Sequence, residues 1–414
     1  MKRICIVGGG FAGFQAALRL QDGLGHRRSV EVTLISDEPQ FTYTPLLPDV
    51  ATGSLTMRSA TVRLSSVLNA APFKVVKDRV VGFDFDRREV HGERKRYGFD
   101  YLLIAVGSDP DFHGISGLAD NAVALAKVHD AMRIKARVVS AFRRAMAHRG
   151  AEGLDRALTF VIAGAGCCGV ELACELASGV RQAILPKVDA AIGGRFRVVL
   201  VEPQNTVLAR FDDRMQQSAM AALARHGVDL VLGDKVVGSD SMDVALEGGD
   251  VIGSENLIWT AGVKAPRWLA DSGLPVTDHG RVEVYGTLEV AELDGVFAMG
   301  DCAEVIDADE TLPMNAQVAS QQGPLAADNV IHQLVGSSFD TFSYLHMGDL
   351  VTLGRFDAAA SWGPVSLSGV PAFAVYRAAY TALAPTLTKK VAIAADWGEE
   401  IVRGRDWGRL LLPE

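Results

Sequence analysis

The residues with the most chemical content are two glycine-rich runs, Gly8-Gly-Gly10-Phe-Ala-Gly13 and Gly164-Ala-Gly166-Cys-Cys-Gly169, which lie 156 residues apart. In such a run the first glycine makes a tight turn, the second lets the backbone approach a pyrophosphate, and the third lets a helix pack closely on a strand. The amides at the start of the following helix then face an anion. A carboxylate at the end of the next strand accepts ribose hydroxyls and repels a 2′-phosphate. Glu202 closes Val198-Val-Leu-Val-Glu202 in this way, which favours NADH over NADPH. In the first unit Ser36 occupies the acid's place. Asp37, one residue later, is assigned the ribose contact, with a solvated acidic turn before Pro39 as the alternative.

Each run has the elements needed to position it. Arg3-Ile-Cys-Ile-Val7 and Leu158-Thr-Phe-Val-Ile-Ala163 read as buried strands, and small-residue helices follow from Phe14 and Val170. Glu202 lies 33 residues beyond Gly169, so the intervening helix or its connection must be longer than usual. One chain is therefore expected to bind two dinucleotides, on an α/β fold with two Rossmann-like domains.

Two later segments place small residues where backbone must approach a flat ligand: Ile104-Ala-Val-Gly107 and Gly300-Asp301. Gly295-Val-Phe-Ala-Met-Gly-Asp301-Cys-Ala303 resembles the late FAD motif of two-dinucleotide flavoproteins, in which the aspartate meets the ribityl chain and phosphate. Asn256-Leu-Ile-Trp-Thr-Ala-Gly262 resembles the element that returns the chain to the FAD domain. Thr44-Pro-Leu-Leu-Pro-Asp-Val-Ala-Thr-Gly-Ser-Leu55 resembles a flavin-side segment, and Ala316-Gln317-Val-Ala-Ser-Gln321-Gln322-Gly323 resembles a quinone-pocket motif. Together they make the chain similar to the type II NADH dehydrogenases, glutathione-reductase-like flavoproteins that pass electrons from NADH to a quinone without pumping protons.

This resemblance implies FAD held by Gly8, Gly10, Gly13, Asp37, Gly107, Gly300 and Asp301, and NADH held by Gly164, Gly166, Gly169 and Glu202, with Ala316, Gln317 and Gly262 as further cofactor-side positions. Glu171 is implied near the nicotinamide, orienting its carboxamide or assisting proton delivery. A helix beginning near Ala316 would aim its positive end at the flavin ring, favouring negative charge there. Gln317 and Gln321, about one helical turn apart, would offer amide donors to a quinone carbonyl. Besides Ser36, the pair Pro48-Asp49 departs from the family, in which an aromatic and a polar residue are commoner.

With 414 residues and 49% hydrophobic composition, several cores can be filled. The net charge of −9 argues against nucleic acid as a partner. The histidines show no metal-ligand spacing. None of the five cysteines forms a CxxC: Cys167 and Cys168 sit within the glycine turn, Cys5 and Cys174 read as buried small residues, and Cys302 lies beside Asp301. This weakens both a disulfide-reductase reading and a sulfide-oxidising one.

The expected divisions are 1–117 and 256–335 as two parts of an FAD-binding domain, 118–255 as the NADH-binding domain, and 336–414 as a C-terminal cap or membrane-association region. No signal segment is read at the N-terminus, and a cytoplasmic location is expected. Within residues 370–395 the apolar run from Pro371 to Ala384 is interrupted by Arg377 and broken by Pro385, so it is too short to span a bilayer. With Tyr376, Tyr380, Lys389, Lys390, Trp397 and Trp407 they are expected to lie on the cytoplasmic face as a peripheral contact, a homodimer contact being the competing use. Two other readings stand beside the quinone reductase: a soluble NADH-dependent flavin enzyme acting on a small quinone or biosynthetic intermediate, and an NADH-binding redox sensor.

Overall fold

The computed structural model describes all residues except 26–28, 70–71, 149–151, 309, 406 and 408–414. The elements used below are, in chain order, β1 (Lys2–Val7), α1 (Phe11–Leu24), β2 (Val30–Ser36), α2 (Leu47–Thr52), β3 (Phe73–Lys77), β4 (Tyr101–Ile104), β5 (Val123–Ala124), α3 (Val128–Ala147), β6 (Thr159–Ala163) and α4 (Cys167–Ala183). They continue with β7 (Arg197–Glu202), β8 (Asp229–Leu232), β9 (Asn256–Trp259), β10 (Val296–Ala298), α5 (Ala316–Val335), β11 (Asp349–Thr352), β12 (Ala358–Trp362), β13 (Val365–Ser368), α6 (Gly369–Ala382) and α7 (Leu387–Arg403).

The chain divides into two compact units. One comprises Met1–Thr42, Thr61–Pro110 and Val263–His346; the other comprises Tyr43–Ala60, Asp111–Gly262 and Met347–Glu414. The first is built on a parallel sheet of order β10-β4-β1-β2-β3. Its central strand is apolar on both faces, with Ile4, Cys5, Ile6 and Val7 all buried, as a parallel sheet covered by helices requires. Each such aliphatic side chain contributes about 1.5–3 kcal/mol by leaving water. Helices α1 and α5 pack so tightly that a Cβ on Gly323 would lie 2.2 Å from the Ala12 carbonyl oxygen. Glycine is thus required there by contact rather than by backbone angle.

The second unit repeats the plan, with parallel order β5-β9-β6-β7-β8. Between β6 and β7 the chain runs through the 17-residue α4 and then two short helical turns, Leu185–Lys187 and Ala190–Gly193, which accounts for the wide spacing from Gly169 to Glu202. Several boundaries depart from the expected divisions: Asn256–Gly262, expected with the FAD-binding domain, supplies β9 to the second unit, and residues 336–346, expected with the C-terminal region, lie in the first. The segment Tyr43–Ala60, expected with the first part of the FAD-binding domain, belongs to this second unit, as does the C-terminal region from Met347 onward. That region folds as an antiparallel sheet β11-β12-β13 with α6 packed against it and α7 against α6.

Candidate functional site

In the first unit Gly8 has φ +106°, and an added Cβ would come 2.0 Å from the Ala105 carbonyl oxygen. At Gly13 a Cβ would meet the Gly8 carbonyl oxygen at 2.0 Å, whereas at Gly10, the N-cap of α1, nothing lies within 4 Å. Two glycines therefore close the turn, and the third leaves open space at the helix N-terminus where a pyrophosphate fits. The second unit repeats the pattern: an added Cβ would lie 2.8 Å from the Ala261 Cα at Gly164 (φ +98°) and 1.9 Å from the Gly164 carbonyl oxygen at Gly169, and would have nothing within 4 Å at Gly166.

The acids that should follow are placed differently in the two units. Glu202 accepts from the Ala165 amide at 2.6 Å and from the Gln204 amide at 3.1 Å, which pins its carboxylate against the glycine turn. Asp37 turns towards Arg79, with Oδ2 3.7 Å from the guanidinium. Ser36 lies against the loop instead, its Oγ 3.1 Å from where a Gly9 Cβ would be, and it accepts from the Glu38 amide at 3.3 Å.

Around the late motif, Gly107 (φ +71°) leaves open space, and Asp301 accepts from the Ser108 hydroxyl at 2.7 Å. Burial pushes the Asp301 carboxyl up, opposed by the Ser108 hydrogen bond and by the charge of Arg281. Gly300 (φ +73°) donates its amide to Gln322 Oε1 at 2.6 Å. Gln322 is completely buried and fixes the turn that presents Asp301. Nothing local in the sequence distinguishes it from its neighbour Gln321, since only the α1 packing face separates one glutamine from the next.

Helix α5 starts at Ala316, capped by the Asn315 side chain, which accepts from the Val318 amide at 2.9 Å. Gln317 accepts from the Tyr344 hydroxyl at 3.1 Å, and that hydroxyl lies 3.3 Å from His346 Nδ1. Gln321 spends both ends of its amide on the Leu345 backbone, donating at 2.9 Å and accepting at 3.0 Å. It fastens the segment carrying Tyr344 and His346, two chemistry-bearing residues for which the sequence offered no spacing signal.

In the second unit Glu171 is buried on α4 and accepts from the Thr352 amide of β11 at 3.1 Å. Burial raises its pKa well above the ordinary carboxylate range, with the charges of Asp49 and Glu175 adding to that rise and the Thr352 amide opposing it. Gly262 (φ +134°) approaches the His113 ring. All five cysteines are free thiols, and burial raises Cys167 and Cys168 above the usual thiol range.

The interface assigned to residues 370–395 needs correction in its details. Tyr376, Trp397 and Trp407 are buried inside the second unit rather than offered to a membrane. Lys389 donates to the Arg58 carbonyl. The exposed apolar residues are instead Val370, Leu383, Leu387, Val391, Ile401 and Val402. Among the described residues, no helix is long and apolar enough to cross a membrane, and no group of His, Cys, Asp or Glu could hold a metal ion.

Two parallel sheets, each with a glycine turn open at the N-terminus of its first helix, define a protein with two dinucleotide-binding units. Residues 2–323 match the family described as Pyridine nucleotide-disulphide oxidoreductase, and the chain belongs to it. Among its relatives is a type II NADH:quinone oxidoreductase of Mycobacterium tuberculosis, 29% identical over 414 aligned residues that span 95% of this chain and 87% of that protein. The fold matches NDH2 of Plasmodium falciparum, solved in complex with NADH, at a TM-score of 0.90 and 17% identity, covering 98% of this chain and 99% of the other. It also matches the sulfide:quinone oxidoreductase of Aquifex aeolicus, at a TM-score of 0.74 and 18% identity over 98% and 96% of the two chains.

Proposed function

We propose that this protein is an FAD-dependent NADH:quinone oxidoreductase, with FAD on the first unit and NADH on the second. The observation that carries this reading is the duplicated open glycine turn, with Glu202 held against the second by the Ala165 amide. The relatives named for NADH:quinone chemistry support the choice of acceptor. Bound FAD supplies a centre that takes two electrons from a nicotinamide and gives them to a quinone.

The chain's own residues bind and orient. Gly8, Gly10 and Gly13 receive the FAD pyrophosphate, Ser108 aligns Asp301 for the ribityl side, and Gln322 holds Gly300 in place. Gly107 gives the ligand room, and Asp37 is the acid proposed for the ribose. Glu202 accepts the adenosine ribose hydroxyls of NADH, while Glu171, whose carboxyl burial pushes up, is the acid that α4 places for the nicotinamide side. Gln317 and Tyr344 form a polar pair for a quinone carbonyl, and Gln321 anchors the backbone that carries Tyr344. The reading is tested without oxygen: one equivalent of NADH is expected to bleach the yellow protein rapidly, and a short-chain quinone to restore the colour as fast. Slow recovery with every quinone overturns the assignment of acceptor.

For membrane contact we infer a peripheral mode through the exposed apolar residues of α6 and α7. Leu387 and Val391 are 76% and 61% exposed and, four residues apart, share one face of α7. Leu387→Asp with Val391→Asp is expected to lower the affinity for anionic vesicles, read by co-sedimentation, about a hundredfold, as the loss of two buried aliphatic groups implies. Failure of the wild-type protein to sediment with vesicles overturns the inference and leaves that face to a second copy of the chain.

A further inference from the structure

The second unit contains a buried acid cluster that the proposed function leaves almost unused. Thr352 joins two of its members, its amide donating to Glu171 and its hydroxyl donating to Glu175 at 2.8 Å. Arg405, itself buried, donates to the Glu175 carboxylate, to the Glu175 carbonyl at 2.7 Å and to Glu400 at 3.2 Å. Glu400 also accepts from Arg377 and from the Ser54 hydroxyl at 3.1 Å. On α2, Asp49 is buried and accepts from the Tyr376 hydroxyl of α6 at 3.3 Å.

Charge divides the cluster into two pairs. Four carboxyls (Asp49, Glu171, Glu175 and Glu400) meet two guanidiniums, and the guanidiniums pair with Glu175 and Glu400. Uncompensated charges are costly in such a place, and burial raises the carboxyls of both Asp49 and Glu171. The groups facing Asp49 are Glu171 and Glu175 from α4, Tyr376, Arg377 and Tyr380 from α6, Glu400 from α7, and Arg405 beyond it. Tyr43 packs its ring on Tyr380, and Lys135 of α3 is buried beside Gly53, the residue that ends α2. Burial, then the charges of Glu175 and Glu400, raise the Asp49 carboxyl to about 7, against the opposing charges of Arg377 and Arg405.

A water-accessible cavity of about 190 Å³ opens on the same cluster, lined by Arg355, Glu400, Arg403, Gly404 and Arg405 among others. Hydrogen bonds thus run from the cavity-lining Glu400 through Arg405, Glu175 and Thr352 to Glu171, while Asp49, bonded to Tyr376, faces this network through charge. The reaction NADH + H⁺ + quinone → NAD⁺ + quinol consumes one proton from water per turnover, and some protein group must hold it.

We propose that Asp49, hydrogen-bonded to Tyr376 and refilled from the cavity at Glu400, is the store of that proton and passes it on through Glu171. The proposal rests on the quinone reading, since an acceptor that takes electrons alone consumes no proton. It also gives a role to Asp49 of the Pro48-Asp49 pair.

The test compares quinone with ferricyanide, which accepts electrons only, in flavin-loaded wild type, Asp49→Asn and Tyr376→Phe. In wild type the ratio of quinone-linked to ferricyanide-linked turnover is expected to fall as pH rises through about 7. In Asp49→Asn the ratio at pH 6 is expected to be at least tenfold lower and flat with pH, and in Tyr376→Phe the fall moves to a different pH. Independently of activity, pH-difference infrared spectra should contain a protonated-carboxyl band that titrates near neutrality in wild type and is missing from Asp49→Asn. A wild-type ratio and pH profile retained in Asp49→Asn, or a wild type without that band, overturns the proposal. Reduction of ferricyanide but of no quinone by the wild type overturns the parent reading, and the proposal falls with it.

Discussion

Gly166→Val is expected to give a folded, yellow protein that binds NADH about 100-fold more weakly, a loss of about 3 kcal/mol. What each glycine touches decides the outcome. Gly166 has ordinary backbone angles, with φ −70°, and no atom within 4 Å of a built Cβ, so a valine there fills only the open space at the head of α4. That is the space a pyrophosphate must enter to reach the helix amides. Gly169 provides the contrast, since a Cβ there lies 1.9 Å from the Gly164 carbonyl oxygen and 2.8 Å from the Thr260 hydroxyl. Gly169→Val is thus expected to lower the unfolding midpoint, whereas Gly166→Val leaves it unchanged. In the first unit Gly10→Val is the equivalent change and is expected to give a colourless protein. Calorimetric NADH titration with thermal unfolding of each variant checks the set; undiminished NADH affinity in Gly166→Val would remove the dinucleotide from this turn.

Arg405→Met is expected to destabilise the protein by about 3–5 kcal/mol, because removing one partner of a buried ion pair strands the other charge. Here two carboxylates are stranded at once, since the Arg405 side chain is 2% exposed and contacts both Glu175 and Glu400. The unfolding midpoint is expected to fall by about 10 °C. The pH dependence has a definite sign. Burial alone would push the Glu400 carboxyl up, but the charges of Arg405 and Arg377 outweigh it and hold the group below its ordinary value. A depressed folded pKa contributes stability above the unfolded value, and that contribution is lost as pH falls through the folded one. In Arg405→Met this contribution is diminished at neutral pH, so the gap from wild type should narrow on acidification. Adding Glu175→Gln and Glu400→Gln should recover part of the loss; a single variant as stable as wild type would show that Arg405 does not compensate these acids.

How much of this could be read in the sequence depended on the range of the interactions. The glycine turns were legible because strand, turn and helix are adjacent in the chain, and their packing partners, Gly8 for Gly13 and Gly164 for Gly169, lie five residues away. Glu202 was legible for a similar reason, as the residue that ends its strand. Tyr376, Trp397 and Trp407 were misassigned because an aromatic residue beside a lysine looks alike at a membrane surface and over a buried core. The contacts that decide between them come from distant segments, such as Asp49 on Tyr376. Glu171 was assigned a role, but its attachment to Thr352, 181 residues later, has no local signal. Gln321 and Gln322 are adjacent in sequence and identical in type; only the packing of α5 on α1 makes one a surface fastener and the other a buried support.

The division of each unit into three separated segments also bears on biosynthesis. The first unit lacks Val263–His346, including the central α5 and the edge strand β10, until most of the chain has been translated, and the second lacks Met347–Glu414, including the guanidinium that pairs with Glu175. Neither sheet-bearing unit can be completed as an N-terminal piece on the ribosome, and contacts across hundreds of residues must wait for late segments. The nascent chain therefore carries a first sheet without its edge strand and a second unit without its C-terminal segment for much of its synthesis, and its yield in the cell should depend on chaperone capacity more than on the stability of the finished fold.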